Sequence, residues 1–369
     1  MAHGENPPLN ITPGAIRFNT DSMKLEYFHI GMEGGGTSSY AGIGTVAAGE
    51  WVQLTTDSPD IQTGGTRALV MGGYNPSGTY LDEIVYINMA TTGNSQTFGE
   101  LTVSDRNHVN AGTSDRTRGI SAGGAAAAAG GVVADIEFVT ISSTGNAADF
   151  NGNLTEARSS SGSGSNGTRG LFAGGYKSPG SLSDVIDYIT IQSTGVNAQD
   201  FGNLSGAREY TAASMCSSTR AVFVGGRVHP AYYNLVEFVT ISTQGNAADF
   251  GDSLNSMSDH KGGITSNSIR GINMGGYVYP AYTNTIEYYT LATLGNATDF
   301  GDLTVAGSQA GGAASPTRCV KMGQGSPTYT NTIEYVQIMT LGDAVDFGDL
   351  NGQVVGYSAA CSNGHGGLG

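Results

Sequence analysis

The chain has 369 residues, of which 58 are glycine and 13% are charged; its net charge is −15, with 16 basic residues. So acidic a chain without a basic stripe excludes nucleic acid as a partner, because phosphate contacts need clustered Lys and Arg. The same balance argues against an anionic membrane surface, and the scarcity of charge leaves a surface of Ser, Thr, Asn, Gly and Tyr.

The three cysteines, Cys216, Cys319 and Cys361, have no metal-type spacing, and their odd number rules out a fully paired framework. Cys216 and Cys361 sit among small residues and read as small buried hydrophobes. The N-terminus MAHGENPPLN has no basic region followed by an apolar one, so no signal peptide is expected and synthesis is expected in a cytoplasm. No run approaches ~18 apolar residues, so membrane insertion is not expected.

Residues 1–10 are polar, with a Pro-Pro pair that suits an extended arm. GAIRFN and KLEYFHI then alternate on either side of a short polar turn, which predicts a β-hairpin. A Gly-, Ser- and Thr-rich insertion precedes a third strand, EWVQL, with the only tryptophan. So few short strands cannot stand alone, so residues 1–55 are expected to act as an attachment or oligomerisation segment. Residues 56–66, with Pro59 and a glycine pair, read as a linker.

From residue 67 to 369 the chain repeats itself six times. An arginine opens each copy, at Arg67, Arg118, Arg169, Arg220, Arg270 and Arg318, a period of about 50 residues. In the fourth copy AREYTAASMCSST, RAVFVGG, NLVEFVTIST and NAADFGDSL predict four strands separated by turns. The third strand, at Ile136, Ile186, Val236 and Ile286, is apolar at nearly every position and so belongs to a sheet covered on both faces. Four-stranded sheets repeated radially make a β-propeller.

A glycine pair followed by an aromatic stands at Gly72-Gly73-Tyr74, Gly174-Gly175-Tyr176 and Gly275-Gly276-Tyr277, and an upstream Arg, in Ala157-Arg158 and Ala207-Arg208, heads the first strand. With Phe150, Phe201, Phe250, Phe300 and Phe347 in the last strand, this order resembles a kelch repeat with Phe in place of the usual Trp. Ala125, Arg227 and Gly323-Gln324 depart from the pattern. The resemblance implies an all-β chain: a six-bladed kelch-like β-propeller preceded by a small β-hairpin segment.

Gly356 to His365 resembles Glu209 to Arg220, with Cys361 matching Cys216. It writes a first strand with no second after it, so it is expected to close the ring as the innermost strand of the first blade and to remove an exposed edge. Antiparallel alternation then places the turns between first and second strands, and both ends of the propeller, on one face. The loops between second and third strands lie on the other.

Those loops carry the candidate ligand-binding residues Tyr74, Tyr80, Tyr176, Arg227, His229, Tyr232, Tyr233, Tyr277, Tyr279, Tyr282 and Tyr329. Tyrosine offers a flat apolar face with a polar tip, suited to sugars or protein. Blade two has AAAAAGG there, a smooth gap. The blade-to-blade loops are expected to add Arg106, His108, Arg158, Arg208, His260 and Lys261 to this rim. The recurring arginines and the recurring Asp149, Asp200, Asp249, Asp299 and Asp346 suit a structural ring of ion pairs. The third-strand acids Glu137, Asp187, Glu237, Glu287 and Glu334 also read as structural.

No GxSxG, HExxH, P-loop or EF-hand pattern occurs. Kelch-type propellers include copper oxidases, but His3, His29, His108, His229, His260 and His365 are scattered. No enzyme, metal or cofactor is expected.

The GAIRFN, KLEYF and EWVQL element is similar to segments that open virion and tail-fibre proteins of tailed phages. With repeats of the TIxTxGNAxDFGDL kind and the terminal SNGHGGL, the chain resembles structural proteins of marine cyanobacterial phages. The resemblance implies a tail-fibre-type virion surface protein made in the host cytoplasm. Residues 1–55 would join other virion subunits, as a homo-oligomer taken to be a trimer, and the rim would recognise host surface polysaccharide. An architectural or decoration subunit without host binding is the alternative.

Overall fold

The computed structural model describes residues 15–19, 24–29, 50–53, 65–102, 106–107, 111–126, 131–257, 263–351 and 356–368. The polar arm, the glycine-rich insertion, most of the linker and the rim residues His108, His260 and Lys261 lie outside them. The chain divides into two compact units, Met1–Gln62 and Thr63–Gly369.

In the first unit Ile16–Asn19, Lys24–His29 and Glu50–Gln53 form an antiparallel sheet with Lys24–His29 in the middle. Register pairs Ile16 with Tyr27 and Phe28 with Trp51. Arg17 pairs with the buried Glu26 at 2.8 Å.

The second unit is a six-bladed β-propeller, as the repeat predicts. Its regular blade is represented by blade three: Gly162–Ser165 innermost, then Arg169–Lys177, Ser181–Thr190 and Gln199–Asn203. Blade one takes its innermost strand from the other end of the chain. Ala359–Ser362 runs antiparallel to Arg67–Tyr74, with Cys361 opposite Leu69. Closure therefore occurs as expected, and no blade is left with a bare inner edge.

The apolar third strand is explained by where its two faces go. Ile189 packs between blades two and three with Phe150 and Ile120, while Ile186 packs between blades three and four with Phe223 and Val239. Each of the six cores lies in a seam between neighbouring blades, including the seam between blades six and one. Hydrophobic burial, the largest favourable contribution to folding, thus acts between repeats.

The recurring arginines stabilise the ring, but not through ion pairs. Each Nη1 donates to a main-chain carbonyl of the next blade: Arg67 to Ile141, Arg118 to Ile191, Arg169 to Ile241, Arg220 to Leu291, Arg270 to Ile338 and Arg318 to Met89. The guanidinium lies 4.5 to 4.9 Å from the ring centre of a third-strand aromatic of its own blade. That ring in turn meets a fourth-strand phenylalanine edge-on. The expected partners Asp149 and Asp200 instead accept main-chain N–H groups two residues on. The reason is geometric: a flat cation stacks on an aromatic face and donates sideways to a carbonyl.

The TxGN turn is a second lock. Gly145 N donates to the Phe98 carbonyl, and Asn146 Oδ1 accepts from Glu100 N, both in the preceding blade. The same pair of bonds recurs around the ring, down to Gly93 and Asn94 against blade six. Each turn thereby covers the outer edge of the blade before it.

Candidate functional site

Two faces of the disc differ in chemistry. On the face of the first-to-second-strand turns, the chain beyond Ser362 turns inward and fills the axis. Asn363 Oδ1 accepts from Arg67 N at 3.0 Å, in the place that Asn166 holds before Arg169 within blade three. His365 Nε2 lies 2.9 Å from the Ser114 carbonyl oxygen, and its Nδ1 accepts from Gly367 N at 3.1 Å. These bonds fix a neutral ring with the proton on Nε2. Burial pushes its pKa down to about 4, and Arg116 adds to this, against the Ser114 carbonyl and Asp115. The axial cavity left beside it is about 20 Å³, room for about one water.

The opposite face carries the loops between second and third strands, and here the eleven candidate residues separate into groups. Tyr74, Tyr80 and Tyr329 meet near the closing seam, with Tyr74 5.4 Å from Tyr80 and 6.3 Å from Tyr329, and Tyr357 joins them at 6.4 Å. Burial pushes the Tyr329 phenol up, and Tyr74 adds to it, so Tyr329 remains a donor at neutral pH. Tyr232, Tyr277, Tyr279 and Tyr282 form a second cluster across blades four and five. Tyr232 stacks on Tyr279 at 5.7 Å, and Tyr277 sits 4.9 Å from Tyr282. Tyr279 is 65% exposed and Tyr233 38%. His229 is exposed at the cis His229-Pro230 turn.

Arg227 and Tyr176 belong to neither cluster. Arg227 donates from Nε to Glu209 Oε1 at 2.8 Å and lies 4.6 Å from the ring centre of Tyr210. Tyr176 pairs through its main chain with Ser159, and its hydroxyl accepts from Gly180 N at 3.1 Å. Glu209, Tyr210 and Tyr357 escaped the sequence reading. A signal was present: Tyr210 and Tyr357 occupy equivalent places, in EYTAAS and GYSAAC, and both have a left-handed main chain, at φ 54° and 59°.

Two residues expected on the rim are elsewhere. Arg158 and Arg208 are buried, at 0% and 3% exposure, and turn into the seams. Arg158 Nη2 pairs with Asp187 at 2.8 Å, and Arg208 pairs with Glu237. The third-strand acids each accept from the strand end of the preceding blade: Glu137 from Thr102, Asp187 from Thr155, Glu237 from Ser205, Glu287 from Leu254 and Glu334 from Thr304. A buried carboxylate needs such partners, and it draws the nearest cation inward. The sixth seam has Val85 at this place, and Asn351 N donates to Ser95 Oγ instead.

Among the described residues no group of three or more His, Cys, Asp or Glu side chains could hold a metal ion. All three cysteines are free and buried, and desolvation pushes the Cys216 and Cys361 thiols up to about 12, leaving no thiolate for chemistry. Compared with protein-family models and with curated proteins, the chain matches none. Fold and geometry define a six-bladed β-propeller with an aromatic rim.

Proposed function

We propose that this is a virion surface protein of the tail-fibre type, that it is not an enzyme, and that its propeller rim recognises host surface glycan. The observation that carries the recognition role is the placing of the tyrosines. Two clusters open on one face, and Tyr279, stacked on Tyr232, is two-thirds exposed. Rigid aromatic faces held by a closed ring bind at low entropic cost. Lys177 is engaged by Glu156 and Arg227 by Glu209, so the rim suits neutral ligands better than anionic ones.

The virion setting rests on the likeness of the N-terminal strands and of the repeats to phage structural proteins. In this reading residues 1–55 join other virion subunits and assemble the chain as a trimer. The face opposite the rim exposes Ile269, Leu294, Met339 and Leu341, apolar groups suited to contact with other subunits. Light scattering should then show a trimer for the full chain and a monomer for residues 56–369.

The test of recognition is adsorption. The purified chain should bind host cells and compete with virions for them, and Tyr232→Ala/Tyr279→Ala should lose that competition. A chain that neither binds cells nor competes would leave an architectural subunit, its rim covered within the particle.

A further inference from the structure

Blade two differs from its neighbours at one place on the rim. Gly124 N donates to the Arg158 carbonyl as Gly175 N donates to that of Arg208, so Ala125 stands where blade three has Tyr176. The missing ring leaves a cavity of about 340 Å³ over blades two to four, lined by Ala125, Val132, Ser160, Tyr176, Glu209 and Tyr210. Its volume falls at the lower end of the ~300–1,000 Å³ typical of small-ligand sites.

We infer that this groove is a subsite for a neutral pyranose of a surface glycan. The inference rests on the rim-recognition reading and names the place and the chemistry. Tyr176 and Tyr210 supply aromatic surface for the C–H face of a sugar ring. Glu209 supplies a carboxylate acceptor for ring hydroxyls. Glu209 is held by Arg227, which also covers Tyr210, so the acceptor and one aromatic wall are fixed before any ligand arrives. Ala125 and Val132 leave the remaining wall small and apolar. The carboxylate in the groove and the chain's net charge of −15 disfavour uronate, sialate or phosphate groups.

The experiment fills the groove and leaves the tyrosine clusters intact. Ala125→Tyr restores the side chain that blades one, three and five carry, so the fold can hold it. Full-length protein, Ala125→Tyr, Glu209→Gln and Tyr232→Ala/Tyr279→Ala are titrated against neutral oligosaccharides of hexose, deoxyhexose and N-acetylhexosamine, and against uronate-bearing ones. Saturation-transfer NMR and calorimetry read the binding. The expected result is neutral-sugar binding that Ala125→Tyr and Glu209→Gln each weaken at least tenfold, with thermal unfolding unchanged.

If Ala125→Tyr fails to fold, Glu209→Gln carries the test. Binding that survives the groove variants but is lost in Tyr232→Ala/Tyr279→Ala overturns the groove and leaves the rim reading standing. Binding untouched by any variant, or no neutral-sugar binding at all, overturns both. Preference for uronate-bearing sugars overturns the assigned chemistry.

Discussion

Arg158 and Asp187 are both fully buried, and their roles follow from what burial costs a charge. Desolvation lowers the arginine's pKa and raises the aspartate's, in each case opposed by the partner's charge, and Thr155 adds two bonds to Asp187. Arg158→Met therefore leaves an uncompensated carboxylate in the seam, and should cost about 3–5 kcal/mol by chemical denaturation. Arg158→Met/Asp187→Asn should recover part of that loss. His365 makes the complementary case for pH. Its folded pKa of about 4 lies below the ~6.5 of the unfolded chain, so between those values the unfolded state binds more protons. Stability is complete above about pH 6.5 and falls as pH drops toward 4. His365 as a residue is only half-buried, so the loss should be about 2 kcal/mol. His365→Gln can keep the bond to Ser114 without titrating, and should flatten the melting temperature across pH 4 to 6.5.

At the scale of elements, the TxGN turn and the DFG strand act as two halves of one joint. Gly202 has φ of 149°, and a methyl there would overlap the Gly245 carbonyl oxygen of the next blade. Gly202→Ala should cost about 3 kcal/mol, read as a drop in denaturation midpoint. The strands themselves were legible because apolar runs and turn residues are local. The joint was not, because Gly245 and Gly202 are far apart in sequence and nothing in either copy names its partner. The arginines failed for the same reason: five aspartates at matching intervals suggested ion pairs, whereas the bond runs to a main-chain carbonyl, which leaves no trace in a sequence. Arg158 and Arg208 fall in loops, and only the carboxylate beneath each shows why it turns inward.

At the scale of the whole molecule, closure was readable because residues 356–365 resemble the first strand of the fourth blade. Cys361 occupies the place of Cys216, and Asn363 caps Arg67 N as Asn166 caps Arg169. Removal of residues 356–369 should bare the edge of Arg67–Tyr74 and abolish the single cooperative unfolding transition, with aggregation visible by light scattering. The rim was legible as a set of tyrosines but not as an arrangement, since side chains from different blades make each cluster. Recognition through that rim is the central claim, and host-cell binding by the full chain and by Tyr232→Ala/Tyr279→Ala tests it most directly. Saturable binding that falls at least tenfold in the variant, with unchanged thermal unfolding, is the predicted result. No binding by the unmodified chain, or equal binding by both proteins, would contradict it.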